Sequence, residues 1–268
     1  MEDNAYLKHA KDCFRTCLDC ACATSTEFLS LYEQHETETV LLKEASVYGL
    51  SYHDLCEDGT ICFTGGFSYA ERKIIQFVPL GVGESRPTPI CVLLIEPKNP
   101  KFAREMTHRD YLGSILALGI ERKTIGDILV NTEGNCAYVF CLEKISGYIL
   151  ESLTSVSNNN VSVRLLSSDE ISETEDLFQP KFKEIKTTVS GLRLDCILSA
   201  AYKKSRSGSA DLIRSESVFV NGKMISNPSH TLKEGDVVSA RGFGKFLFSE
   251  VSGTSNKDRI WVILKLYQ

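Results

Sequence analysis

Apolar residues recur with two different periods along the chain, and the switches between them mark its parts. Tyr6, Ala10, Cys13, Phe14 and Cys17 follow a 3.6-residue stripe, and Val40, Leu41 and Leu42 lie in a second helical stretch. Ile61-Cys62-Phe63 then reads as a strand, Gly65-Gly66 interrupts, and Lys73 to Val78 alternates into another strand before a loop from Pro79 to Pro89. Residues 1–80 are therefore expected to form a mostly helical N-terminal domain, a small α/β segment.

From residue 81 to 166 the pattern alternates regularly. Cys91 to Glu96 is a predicted strand, and Thr107 to Leu118 a helix with Thr107 as N-cap, Asp110 in the capping-box position and Gly119 as its end. Asp127 to Val130 and Cys136 to Phe140 are strands joined through Asn131, Glu133, Gly134 and Asn135. Glu143 to about Leu153 is a helix and Val161 to Leu165 a strand. The order β-α-β-β-α-β is ferredoxin-like (RRM-like), an arrangement common among RNA-recognition domains but not diagnostic of them. The class as a whole is α+β. Residues 167–180 are acidic and lack an apolar period, which predicts a linker.

Residues 181–268 open with a strand, Phe182 to Val189. Leu194, Ile197, Leu198 and Ala201 then mark an amphipathic helix at i, i+3, i+4, i+7. If that helix continues far enough, Arg193 and Lys204 share one outward line about three turns long. Ser205 is placed to cap a second helix, Arg206 to about Arg214, with Ala210 and Ile213 inward. Val218 to Ile225 alternates around Asn221-Gly222, the strongest short hairpin signal because a type I′ turn needs positive φ at both central residues. Lys233-Glu234-Gly235-Asp236 turns into Val237-Val238, and Gly242-Phe243-Gly244 separates further strands flanked by Arg241 and Lys245.

Charge sharpens this division. The 268 residues carry a net charge of −5, which spread evenly would argue against a polyphosphate partner. Residues 181–268, however, hold 15 Lys+Arg against 8 Asp+Glu, whereas residues 1–180 hold 15 against 27. A basic domain draws nucleic acid by counterion release whatever the remainder carries, although a basic face is sometimes only a solvated one. Lys203, Lys204 and Arg206 are expected to converge with the backbone N–H groups opening the second helix, a phosphate-binding arrangement.

At this point the residues resemble a known module. Arg193-Leu194-Asp195, Ser205-Arg206, Ala210, Ile213-Arg214, Val218, Val220-Asn221-Gly222-Lys223, Pro228 and Gly235-Asp236-Val237-Val238 are similar, in order over about fifty residues, to the S-four-type (αL) RNA-binding domain. The resemblance implies that the helix pair and the loop before the hairpin contact RNA phosphates. It carries over to Arg193, Lys203, Lys204, Arg206, Arg214, Asn221 and Lys223, with Ser205 and Ser209 beside them. Read alone, Asn221 and Gly222 are turn residues, Arg214 is a helix C-terminal charge, and Asp195 pairs with a nearby base.

Upstream, Gly65-Gly66-Phe67, Ala70-Glu71-Arg72-Lys73, Glu96 to Phe102, Thr107 to Gly113 and Gly119 to Val130 resemble the YlmH family, bacterial proteins that carry an S-four-type domain at the C-terminus. That resemblance implies binding of structured RNA, ribosomal RNA or tRNA, on the large ribosomal subunit with peptidyl-tRNA, in ribosome-associated quality control. Lys98, Lys101, Arg104, His108, Arg109, Arg122 and Lys123 are the candidates for a second RNA contact. Tyr138 and Phe140 share one strand face, but the stacking-aromatic signature of an RNA-recognition sheet is lacking.

Two other readings compete. S-four-type domains are often joined to pseudouridine synthases, and Gly191-Leu192-Arg193-Leu194-Asp195 superficially resembles their Gly-Arg-Leu-Asp stretch. The following Cys196-Ile197-Leu198-Ser199-Ala200-Ala201 lacks the Thr and Gly-Leu that stretch requires, and no P-loop, methyl-donor or zinc-hydrolase motif appears elsewhere. A protein-interaction adaptor with a basic docking domain is the remaining alternative. No catalytic residue, cofactor or small-molecule substrate is expected. Cys13, Cys17, Cys20 and Cys22 lie on a predicted helix where Cys22 cannot share a face with Cys13 and Cys17, so reduced thiols are expected rather than a metal site. No apolar run spans a bilayer and Met1-Glu2-Asp3-Asn4 is acidic, so a cytoplasmic protein with no membrane partner is expected.

Overall fold

A computed structural model describes residues 5–79, 88–131, 135–255 and 259–267. The chain divides into two compact units, residues 1–179 and 180–268. Glu133 and Gly134 of the expected turn, most of the loop after Pro79, and the acidic N-terminal tetrapeptide lie outside the described residues.

The first unit begins with helix α1 (Ala5–Cys20), strand β1 (Thr24–Ser25), helices α2 (Leu31–Val47) and α3 (Tyr52–Glu57), and strands β2 (Ile61–Thr64) and β3 (Ile74–Phe77). Ala10, Cys13, Phe14 and Cys17 are the buried stripe of α1, while Cys20 and Cys22 are exposed. Ser30 and Glu33 close a capping box at the start of α2. The three strands pair antiparallel in the order β1-β3-β2, with β3 buried along its whole length. Helices dominate this portion and β2 and β3 fall where the alternation places them; β1 is too short and polar to show a period.

The chain continues with β4 (Ile90–Pro97), a 3₁₀ turn (Pro100–Phe102), α4 (His108–Leu116), a 3₁₀ turn (Arg122–Thr124), β5 (Ile125–Asn131), β6 (Cys136–Leu142), α5 (Glu143–Ser152), β7 (Ser155–Val156) and β8 (Asn159–Leu165). Asp110 accepts from Thr107 N at 2.8 Å and Thr107 Oγ1 at 2.6 Å, so the box at the start of α4 forms. The antiparallel sheet runs β5-β6-β4-β8-β7. Apart from the short edge strand β7, that is the ferredoxin-like order.

Both faces of this sheet are covered. Leu93, Ile95, Val139 and Cys141 pack under Tyr111 and Ile115 of α4 and Ile149 of α5. Val92, Leu94, Tyr138 and Phe140 pack on the other face against Phe28, Ile74, Leu166 and Phe178. Tyr138 is therefore only 8% and Phe140 0% exposed, and Phe178 meets both rings edge-on at 5.2 and 5.5 Å.

Phe178 belongs to the stretch expected to be a linker. That expectation is corrected: Ser168–Thr174 form helix α6 and Glu175–Phe178 a 3₁₀ turn. Glu170 accepts from Ser167 N at 2.9 Å and pairs with Arg164. Asp169 and Glu173 face solvent while Leu166, Ile171 and Phe178 close the sheet face, a spacing too irregular to register as a helical period.

The second unit contains β9 (Phe182–Val189), α7 (Leu194–Tyr202), α8 (Arg206–Arg214), β10 (Val218–Val220), β11 (Lys223–Met224), β12 (Val237–Ala240), β13 (Gly244–Thr254) and β14 (Ile260–Tyr267). Its six-stranded antiparallel sheet runs β11-β10-β12-β13-β14-β9. Leu194, Ile197, Leu198 and Ala201 of α7 and Ile213 of α8 share one core with Val218, Val238, Phe246, Phe248 and Leu264. Asn221 and Gly222 have φ of 49° and 77° and Val220 pairs with Lys223, which makes the two-residue I′ hairpin.

Candidate nucleic-acid interface

The basic residues of the second unit are set by how α7 ends and α8 begins. Helix α7 stops at Tyr202, and Lys203 takes a left-handed conformation, φ 53° and ψ 42°. Glycine is the usual residue there, and a non-glycine residue in this region is uncommon. Ser199 Oγ donates to Lys204 O at 2.6 Å and Lys204 N to Ser199 O at 3.1 Å, which pins the turn. Ser205 then caps α8 by accepting from Gly208 N at 3.1 Å. The condition for Arg193 and Lys204 to share one helical line, that the helix continue to Lys204, is not met, since both residues lie outside α7.

The turn instead gathers cations in two places. Arg193, the N-cap residue of α7, donates through Nε and Nη2 to the two carboxylate oxygens of Asp195 at 3.0 and 3.1 Å. Arg206 Nε donates to the same carboxylate at 3.3 Å. Burial would raise the Asp195 pKa, but hydrogen bonds from Arg193 and Cys196 and the charges of Arg193 and Arg206 outweigh it and hold the carboxyl below its ordinary range. Asp195 is 5% exposed and both arginines are exposed. The acid thus anchors the guanidinium groups from beneath, and the fixed pair of arginines presents donors to solvent. That environment suits a positioning acid and leaves no open face for a nucleophile.

The second place is the surface beside Lys204, whose Nζ lies 4.4 Å from the centre of the Phe243 ring. Phe243 packs on Tyr202 at 5.5 Å, and Tyr202 Oη donates to Gly244 O at 3.0 Å. Gly242 and Gly244, both with positive φ, let the turn after β12 lift this aromatic toward the helix junction. The Gly242-Phe243-Gly244 triplet, which by pattern alone only separates two strands, is the sequence signal for it. Lys203, Lys204 and Lys223 make no ion pair among the described residues.

Other expected contacts divide clearly. Arg214 is exposed but paired with Asp211 at 3.1 Å. The Asn221 amide is used within the fold, donating to Asp236 Oδ1 at 2.8 Å and accepting from Val237 N at 2.9 Å, so it positions the hairpin. Ser209 is corrected: it is fully buried against the α8 packing face, where it cannot touch RNA.

Among the second set of candidates, Lys98, Lys101, Arg104, His108 and Arg109 are exposed. Arg122 is half-buried and donates to Ile125 O and Gly126 O; burial, then neighbouring Arg72, push its pKa down to about 10. Lys123 pairs with Glu121 at 2.9 Å and Glu27 at 3.9 Å. These two serve the fold first. Partial desolvation of the ring by its surroundings and then the Arg122 charge lower the His108 pKa, which favours the neutral ring.

Comparison with known proteins follows the same division. Residues 91–170 match the family model described as a putative RNA-binding domain in YlmH, and residues 192–238 match the S4 domain. The ribosome-associated protein quality control protein P2 of Bacillus subtilis (strain 168) is 28% identical over 207 residues, covering 75% of this chain and 76% of that protein. Among solved structures, the cell division protein ylmH from Streptococcus pneumoniae aligns with a TM-score of 0.47 at 20% identity, over 65% of this chain and 94% of that one.

Proposed function

We propose, from the matches to a putative RNA-binding domain in YlmH and to the S4 domain, that the chain is a non-catalytic RNA-binding protein of the ribosome. Its partners are then ribosomal RNA and tRNA, on a large subunit that holds a peptidyl-tRNA during quality control of stalled synthesis, in the cytoplasm. The observation that carries this reading is the junction between α7 and α8. Lys203 and Lys204, which make no ion pair among the described residues, stand beside an arginine pair fixed on buried Asp195, all within the stretch matched by the S4 domain. The similarity to a protein named for ribosome-associated quality control supports the ribosome as the setting. No described helix is long and apolar enough to cross a membrane.

Replacing Lys204 and Arg206 by Glu should abolish co-sedimentation with ribosomes while leaving the circular dichroism spectrum unchanged. Since Arg206→Glu also sets a carboxylate against Asp195, the pair Lys203→Glu and Lys204→Glu isolates the surface effect. Undiminished co-sedimentation of that second variant would favour a protein-docking adaptor instead.

A further inference from the structure

The ferredoxin-like sheet cannot bind RNA on its strands, since both faces are packed and Tyr138 and Phe140 are buried. One aromatic of the matched stretch is presented in the opposite way. Phe102 is 89% exposed on the 3₁₀ turn that follows β4, and the surface around it is built from cations and amides.

The turn is held at several points. Pro100 opens it, and Phe102 N donates to Asn99 O at 3.2 Å. Lys98 N donates to Asn160 O at 2.9 Å and Arg104 N to Asn159 Oδ1 at 3.0 Å, while Asn159 Nδ2 and Asn135 Nδ2 both return to Arg104 O. A ring left in water contributes nothing to the core, so this bracing does not serve burial of Phe102. It fixes the place from which the ring projects.

Beside the ring runs an open groove of about 160 Å³ lined by Asn99, Phe102, Asn158 and Asn160 together with Pro97 and Ala103. The exposed side-chain amides offer both donors and acceptors. Residues 97–104 contain no acid, and Lys98, Lys101 and Arg104 are exposed without an ion-pair partner among the described residues. An apolar protein partner would call for further apolar neighbours around the ring, as at the centre of a protein interface. Cations, planar amides and a single projecting aromatic instead match what an unpaired nucleotide requires: a stacking surface, edge contacts and phosphate neutralisation.

We propose that the loop Lys98–Arg104 with the Asn158–Asn160 turn is a second RNA-binding site, specific for unpaired nucleotides, in which a base stacks on Phe102. Lys98, Lys101 and Arg104 hold the flanking phosphates, and the asparagine amides meet the base edge. This site rests on the RNA-binding reading but is separate from the S4 surface.

The test uses the full chain carrying Lys203→Glu and Lys204→Glu, so that the S4 surface does not mask the loop. The probe is a single-stranded oligoribonucleotide of about twelve nucleotides containing 4-thiouridine, with a duplex of the same sequence as comparison. Ultraviolet crosslinking should attach the single strand to the peptide spanning residues 97–104. Phe102→Ala should weaken single-strand binding roughly tenfold, as expected for loss of one stacked base, while Phe102→Trp retains it. Equal affinity of the parent and Phe102→Ala, equal losses in the Ala and Trp variants, or duplex binding as tight as the single strand would each overturn the proposal. Ribosome co-sedimentation through Lys203 and Lys204 is a separate readout, so either proposal can fail while the other stands.

Discussion

Asp195 accepts both forked hydrogen bonds of Arg193, Nε on one carboxylate oxygen and Nη2 on the other. The planar guanidinium is thereby held in one orientation, which a lysine with a single ammonium could not reproduce. The second oxygen also receives Arg206, so one buried acid sets the direction of two exposed cations, one at the N-cap of α7 and one at the start of α8.

Asp195→Asn should lower stability by about 1–2 kcal/mol at neutral pH, less than a fully buried pair because both arginines are about half in water. The carboxyl titrates below its unfolded value, so its contribution is complete above the ordinary carboxylate range and is lost as pH falls through the folded pKa. Urea unfolding of parent and variant at neutral and acidic pH should show the difference shrinking as the solution is acidified. A pH-independent difference would show that charge is not its source.

Ser209 offers the opposite case. Its hydroxyl is buried and has no hydrogen-bond partner among the described residues, so it contributes a desolvation cost without a compensating bond. Ser209→Ala should leave the unfolding midpoint equal or higher and RNA affinity unchanged. Reduced RNA affinity in a normally folded variant would restore the contact that burial argues against.

Gly126 tests how the N-terminal elements join the sheet. A Cβ at this position would lie 2.7 Å from Phe28 Cε1 and 3.1 Å from Phe140 Cβ, and both rings are buried. Gly126→Ala should destabilise by about 1–3 kcal/mol through overpacking. Gly113→Ala, in α4 with open space around the added carbon, should instead be neutral or stabilising by up to about 1 kcal/mol. Thermal unfolding of the two variants separates the effect of a close approach from the general effect of replacing glycine.

What was readable from sequence was local chemistry with a fixed spacing. Thr107 and Asp110 announce a helix start because three residues separate the two halves of a capping box, and Asn221-Gly222 announces a hairpin because its φ angles admit few residue pairs. The alternation of β4, β5, β6 and β8 was enough for the ferredoxin-like order. It was not enough for the covering of both sheet faces, since Phe28 and Phe178 come from distant segments with no periodic signal. Nor does a basic residue declare its partner: Arg122 turns to backbone carbonyls, Lys123 to Glu121, and Lys101 to solvent, although all three look alike in a list of cations. The exact end of α7 stays open in the pattern because Lys203 adopts the left-handed conformation without the glycine that normally signals it.

The double covering of the ferredoxin-like sheet also separates two meanings of the word module. The stretch recognisable by family, residues 91–170, stops short of Phe178 and begins long after Phe28. The physical unit that shelters those strands from water is residues 1–179. Cut at its recognisable edges, the stretch would carry a bare apolar surface where the complete chain has a core. Here the boundary of inheritance and the boundary of folding are drawn in different places.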